Sequence, residues 1–285
     1  MVSVLAVVGA WFRRGILWMP LVLWGLARPA GAADFSSIVF YYGGAAPVSE
    51  LSRFDVAVLE PDHDFVPPPR GQGRTRWLAY VSVGEVLASR PYFAQMPRQW
   101  LAGRNDTWQA RIIDQSAPGW SDFFVSRVAA PLWKAGYQGF FLDTLDSYQL
   151  LGKDAAMLER QRQGLVRLIR ALRRAYPQAM LILNRGFELL PDLHDQVDAV
   201  AFESLYRGWS QAQGKYVVVS ETDRAWLLGQ TQTVREYGLP VVAIDYCPPE
   251  DHVCARDTAQ RIRAHGIIPY VGDGHLQTVD VDVLP

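Results

Sequence analysis

The sequence predicts a (β/α)8 barrel of the TIM type, forming a single domain after an N-terminal signal segment. Three observations carry this. Eight short apolar runs alternate with amphipathic stretches over a length typical of such barrels, about 250 residues. Most of the runs lack polar alternation, as strands covered on both faces should. Helix ends repeatedly pass through a glycine into the next run, as in "KAGYQGFFLD", "REYGLPVVAID" and "RAHGIIPYV".

Residues 1–33 stand apart. Arg13 and Arg14 precede the apolar "GILWMPLVLWGLA", and in "RPAGAAD" the small residues Ala30 and Ala32 have the spacing of a cleavage site. The segment reads as a signal peptide or N-terminal anchor, with the apolar "VSVLAVVGAWF" ahead of the arginines as its atypical part. It implies a secreted or periplasmic protein whose folded domain is 34–285. No later stretch reaches the roughly 18 uninterrupted apolar residues of a membrane span.

Within the domain the strand readings are 38–42, 56–60, 77–84, 139–143, 180–184, 197–203, 241–246 and 267–272. Helix readings fall at 47–53, 119–135, 155–176, 221–237 and 255–265. The helix from residue 155 has the clearest pattern: Leu158, Leu165, Ile169 and Leu172 recur near helical spacing, and Pro177 stops it. Residues 84–116 and 204–220 read as long loops rich in Tyr and Trp. A doubly wound open sheet is the alternative, but "YYGGAAPVSE" after the first strand lacks the glycine spacing of a dinucleotide loop.

Charge narrows the partners. Without Arg13, Arg14 and Arg28 the remaining chain carries 25 basic and 29 acidic residues, a balance that disfavours nucleic acid and suits a neutral or cationic partner. Cys247 and Cys254 are the two cysteines, and in an oxidising compartment their spacing reads as a local disulfide.

In a barrel, residues at strand C-termini converge on one face. Those ends present Tyr41 and Tyr42, Glu60, Ser82 and Glu85, Asp143 with Asp146, Asn184 with Arg185, Glu203, and Asp245 with Tyr246. A single strand-end acid also serves as a helix cap or ion-pair partner. Asp143 and Glu203 differ because each ends a strongly apolar run, "GFFL" and "AVAF", where a charge is costly unless used or paired. Two carboxylates among aromatic rings on a barrel rim are what glycoside hydrolysis requires. A metal-dependent hydrolase would recruit His to the strand ends, whereas the five His lie in loops or at helix ends.

The segments "FYYGG", "FDVAVLEPDH", "LAYVSVGE", "GFFLDTLDSY", "LNRGFELL", "VAFESLY" and "VVAIDYC", in this order across residues 36–272, resemble glycoside hydrolase family 114, the endo-α-1,4-polygalactosaminidases. The resemblance implies a barrel that hydrolyses α-1,4-linked galactosamine or N-acetylgalactosamine polymers. The family's D-x-x-D-x-Y motif falls on Asp143, Asp146 and Tyr148, and its acid on the sixth strand falls on Glu203. Asp143 is then expected as nucleophile and Glu203 as acid/base of a retaining mechanism, with their carboxyl groups about 5–5.5 Å apart, whereas about 6.5–9.5 Å would indicate inversion. A cationic polymer would be attracted by Glu60, Asp62, Glu85, Asp146 and Asp245, with Tyr42, Tyr206, Trp209 and Tyr246 supplying ring faces. Tyr148, Asn184 and Arg185 complete the expected substrate set. A monomer with no metal and no cofactor is expected, and the competing readings are a non-catalytic polymer-binding barrel and a glycosidase acting on another glycan.

Overall fold

The computed structural model describes residues 35–284 apart from Asp64, so the expected signal segment lies outside the described residues. Eight parallel strands form one sheet in chain order: β1 (Ile38–Tyr41), β2 (Val56–Leu59), β3 (Arg76–Ser82), β4 (Gly139–Asp143), β5 (Met180–Asn184), β6 (Ala199–Glu203), β7 (Val241–Tyr246) and β8 (Ile268–Gly272). Nearly every residue in them is buried, because one face lines the barrel interior and the other lies under helices. The sheet curls until β8 meets β1. There the Tyr270 hydroxyl donates to the Phe40 carbonyl at 2.8 Å, and the Tyr42 N–H donates to the Leu276 carbonyl at 2.7 Å. Phe40, Phe141 and Tyr270 fill the interior, with Phe40 and Phe141 meeting edge-on at 4.9 Å.

Among the described residues, besides short 3-10 turns, six α-helical segments lie outside the strands: α1 (Val48–Leu51), α2 (120–135), α3 (Ala155–Ala175), α4 (Leu190–Leu193), α5 (Glu221–Glu236) and α6 (His252–Ala264). Side-chain caps start the long ones. Asp154 accepts from the Met157 N–H at 2.6 Å, Ser220 from Asp223 at 3.1 Å and Asp251 from Cys254 at 3.0 Å. The Asp251 cap also explains why α6 begins at His252, ahead of the sequence reading. The middle of α2, Phe124–Ala129, widens to π geometry just before Pro131, which has no N–H to continue the ladder.

The connections differ from one strand pair to the next. Between β2 and β3 the described residues contain no helix. That side is closed by Phe65 against Trp77, at 5.1 Å between ring centroids, and by Arg70 stacked 3.7 Å over Trp133. The two intervals read as loops hold small antiparallel sheets. One has three strands, Glu85–Val86, Leu101–Asn105 and Ala110–Ile113, and the other is a hairpin of Arg207–Ser210 with Lys215–Val218. Their strands are short and partly exposed, so they carry little of the apolar signal by which the barrel strands are recognised. Cys247 and Cys254 form a disulfide that ties the end of β7 to the first turn of α6. No helix among the described residues is long and apolar enough to cross a membrane.

Candidate active site

Strands β4, β5 and β6 share one design: four buried apolar residues, then a partly exposed polar one, giving Asp143, Asn184 and Glu203. Burial of the preceding residues anchors each strand, so these polar side chains stand at the barrel mouth on rigid supports. The backbone turns sharply after two of them, with Thr144 at φ 62° and Arg185 at φ 58°. Thr144 is held there by its hydroxyl, which donates to the Asp143 carbonyl at 2.6 Å and accepts from the Gly84 N–H at 2.8 Å. Gly84 has to be glycine, because a Cβ there would lie 2.0 Å from the Thr144 carbonyl oxygen.

The two acids share one donor. Asn184 Nδ2 lies 2.8 Å from Asp143 Oδ1 and 3.2 Å from Glu203 Oε1, so these oxygens stand no more than about 6 Å apart. Each acid also receives a phenol: Tyr80 donates to Asp143 Oδ2 at 2.7 Å, and Tyr246 donates to Glu203 Oε2. Arg185 donates to the Glu203 backbone carbonyl at 2.7 Å. Burial, and then the charge of Asp143, push the Glu203 pKa above the ordinary carboxyl range, opposed by the Tyr246 and Asn184 hydrogen bonds and the Arg185 charge. Tyr42, Tyr80 and Tyr246 are pushed well above the ordinary phenol range, by burial first and then by the neighbouring carboxylates. All three phenols therefore stay protonated at working pH. Among the described residues no three His, Cys, Asp or Glu side chains gather in a way that would hold a metal ion.

Only some of the expected residues face the mouth. Asp143, Glu203, Asn184 and Tyr42 do, and Tyr246 does so as a hydrogen-bond donor and not as a stacking face. Asp146 is partly exposed on the loop after β4, and among the described residues its carboxylate has no partner. Trp209 sits on the hairpin after β6, its ring between Tyr216 at 4.9 Å and His275 at 5.1 Å.

The other expected residues have partners within the chain. Glu60 and Asp62 share Arg90 at 2.5 and 2.8 Å, so the trio keeps one net negative charge. Glu85 is buried and receives Asn105 at 2.8 Å and Ser147 at 2.7 Å. Asp245 is wholly buried and accepts the backbone N–H groups of Leu205, Tyr206 and Arg207, each at 2.7 Å. Tyr148 is buried against Glu188, its hydroxyl donating at 3.1 Å. Tyr206 meets His265 at 2.8 Å and is covered by Arg261, 4.0 Å above its ring. Arg185 is used on the Glu203 backbone. Polar residues at strand ends satisfy buried backbone and each other as often as they meet a ligand, and sequence spacing does not distinguish the two.

Tyr80, Thr144 and Arg90 are site residues the sequence reading missed. The weak signal for Tyr80 was a phenol placed two residues before Ser82 in an otherwise apolar strand, on the face that meets Phe141 and Asp143.

The sequence model of the family described as glycoside-hydrolase family GH114 matches residues 22–283. The glycoside hydrolase domain of PelA from Pseudomonas aeruginosa is 39% identical, with a TM-score of 0.79 covering 87% of this chain and 99% of that one. Ega3 of Aspergillus fumigatus, solved in complex with galactosamine, is 12% identical with a TM-score of 0.62 over 86% and 93%, a likeness of fold alone. An uncharacterized protein of Deinococcus radiodurans is 26% identical over 241 residues, 79% of this chain and 75% of that protein.

Proposed function

The chain belongs to glycoside-hydrolase family GH114, and on that premise we propose that it is an exported endo-hydrolase of α-1,4-linked galactosamine and N-acetylgalactosamine polymers. In this reading Asp143 is the nucleophile and Glu203 the acid/base of a retaining reaction. The observation that carries it is the shared amide nitrogen of Asn184, which limits the Asp143 and Glu203 oxygens to about 6 Å. That bound holds for the facing pair of oxygens and is compatible with the spacing of retention, about 5–5.5 Å between the carboxyl groups, where inversion needs about 6.5–9.5 Å for a water. Two ionised carboxylates about 6 Å apart repel by about 3 kcal/mol at an effective dielectric of about 20. That repulsion acts with burial to raise the pKa of Glu203, which suits Glu203 to the proton-donor role.

The reaction follows from these positions. An Asp143 oxygen attacks C1 of the sugar while the C1–O bond to the leaving saccharide breaks, and the Glu203 proton passes to the departing oxygen. In the second step Glu203 takes a proton from water, which attacks C1 and releases Asp143. The ammonium groups of a de-N-acetylated polymer are met by Asp146, and Trp209 and Tyr42 offer ring faces to the sugars. The choice of sugar rests on the likeness to the PelA hydrolase domain and on the galactosamine bound by Ega3.

The test is release of oligosaccharides from partially de-N-acetylated and from fully acetylated α-1,4-galactosaminoglycan by wild type, Asp143→Asn and Glu203→Gln. Near wild-type turnover in a folded variant would remove that residue from the pair. A wild type that releases nothing yet is retained by the immobilised polymer would make the chain a binding protein, and release from an unrelated glycan alone would move the substrate. The anomeric form of the first product, followed by NMR, separates retention from inversion.

A further inference from the structure

We infer that Asn184 is a positioning residue that couples the two carboxylates, by passing its amide hydrogen bond from Asp143 towards Glu203 when Asp143 becomes esterified. The inference rests on the retaining pair proposed above. It starts from topology. β5 lies between β4 and β6, so a side chain at its end is the one strand-end group in this trio adjacent to both acids. Asn184 places a single nitrogen between them, closer to Asp143 Oδ1 at 2.8 Å than to Glu203 Oε1 at 3.2 Å.

The opposite amide orientation is excluded by charge, since it would set the carbonyl oxygen against two carboxylates. Holding the nitrogen there leaves Asn184 Oδ1 buried without a hydrogen-bond partner. An unsatisfied buried acceptor is unfavourable, so a side chain serving the fold alone would not be expected to keep it.

The remaining groups that face Glu203 do not change between the two steps. Tyr246 stays protonated and keeps donating to Oε2, Arg185 is bound to the backbone carbonyl, and Tyr42 and Tyr80 stay neutral. Glu60 near Tyr42 is paired with Arg90. Asp143 is the group whose charge is lost on glycosylation. Its oxygen then becomes a weaker acceptor, and the Asn184 N–H is free to strengthen its bond to Glu203. A stronger bond to the charged form favours the Glu203 carboxylate, the form the second step requires as a base. No atom is gained or lost in this transfer.

The experiment uses an α-1,4-galactosaminyl oligosaccharide fluoride, whose departure needs little acid help, with Asn184→Ala and the isosteric Asn184→Asp. Folding is checked by circular dichroism and melting. The expected result is slowed deglycosylation: a burst of fluoride, then a steady state about tenfold or more slower, the effect of losing one charge-assisted hydrogen bond. KM should fall with kcat, the acidic limb of the kcat profile, where Glu203 must be ionised to act as base, should move to higher pH, and azide, which attacks without a base, should restore turnover. A folded variant with no burst, an unmoved pH limb and no azide response overturns the coupling, as does a rise in KM alone, which would make Asn184 a sugar contact. Glu203→Ala assayed alongside isolates the premise. If it is neither slowed nor rescued by azide, the pair itself is wrong, whatever Asn184 does.

Discussion

Asp245 offers the sharpest test of how this mouth is built, because its place in the sequence suggested a substrate contact and its place in the fold assigns it to the chain. Oδ1 accepts the Leu205 N–H and Oδ2 accepts those of Tyr206 and Arg207, all at 2.7 Å and without solvent contact. These residues begin two positions beyond Glu203, so the carboxylate pins the segment that orients the proposed acid/base. Asp245→Asn keeps the shape but turns one acceptor into an NH2 group aimed at an N–H. In the better amide orientation the Leu205 bond is lost and the other two fall from charged to neutral strength. At about 1.5–3 kcal/mol for a bond to a charged group, with neutral bonds about half as strong, the loss is about 3–6 kcal/mol. For a domain of this size about 2–4 °C accompanies each kcal/mol, so the melting temperature should fall by at least about 6–12 °C. Melting by circular dichroism, with kcat and KM on the polymer measured well below the transition, decides it. A melting temperature within about 2 °C of wild type together with a raised KM would refute the reasoning and return Asp245 to the substrate.

Other consequences follow from the same geometry. Gly84→Ala should fail to fold or lose activity, because its Cβ would press on the Thr144 carbonyl at 2.0 Å; soluble expression and turnover report this. Glu203 donates only when protonated, and its pKa is raised, so the alkaline limb of kcat/KM should lie above the ordinary glutamate range. Asp143→Asn, which removes the neighbouring charge, should bring the Glu203 titration down when followed by carbon NMR. Cys254→Ser opens the loop closed by the Cys247–Cys254 disulfide and should cost about 2–3 kcal/mol in thermal stability, a loss that reductant reproduces in the wild type. Asp146→Asn should lower kcat/KM several-fold on the de-N-acetylated polymer, with an effect that shrinks as salt rises, and leave the acetylated polymer unchanged.

Much of this molecule was legible without coordinates. The strand runs "GFFLD" and "MLILN" announce themselves because burial on both faces demands continuous apolar residues, and Gly136, Gly238 and Gly266 end helices where a left-handed residue is required. Asp143 and Glu203 were legible for the same reason, since a charge closing a buried run conflicts with its surroundings and has to be used or paired. The small sheets around Leu101–Asn105 and Arg207–Ser210 were not, because short, half-exposed strands take their stability from neighbours distant in sequence and leave no periodic trace.

The same division runs through the site. The sequence alone determined that acids and phenols would collect at one end of the barrel. Which of them remain available to a ligand was decided only by the fold. Glu60 meets Arg90 across 30 positions, Glu85 meets Ser147 across 62, and Asp245 meets Leu205 across 40, so three acids expected at the rim bond to partners that no local reading connects. The placing of Asn184 between both carboxylates is likewise a product of strand order and register. A side chain's type records what it can bond to, but only the closed barrel brings the partner within reach.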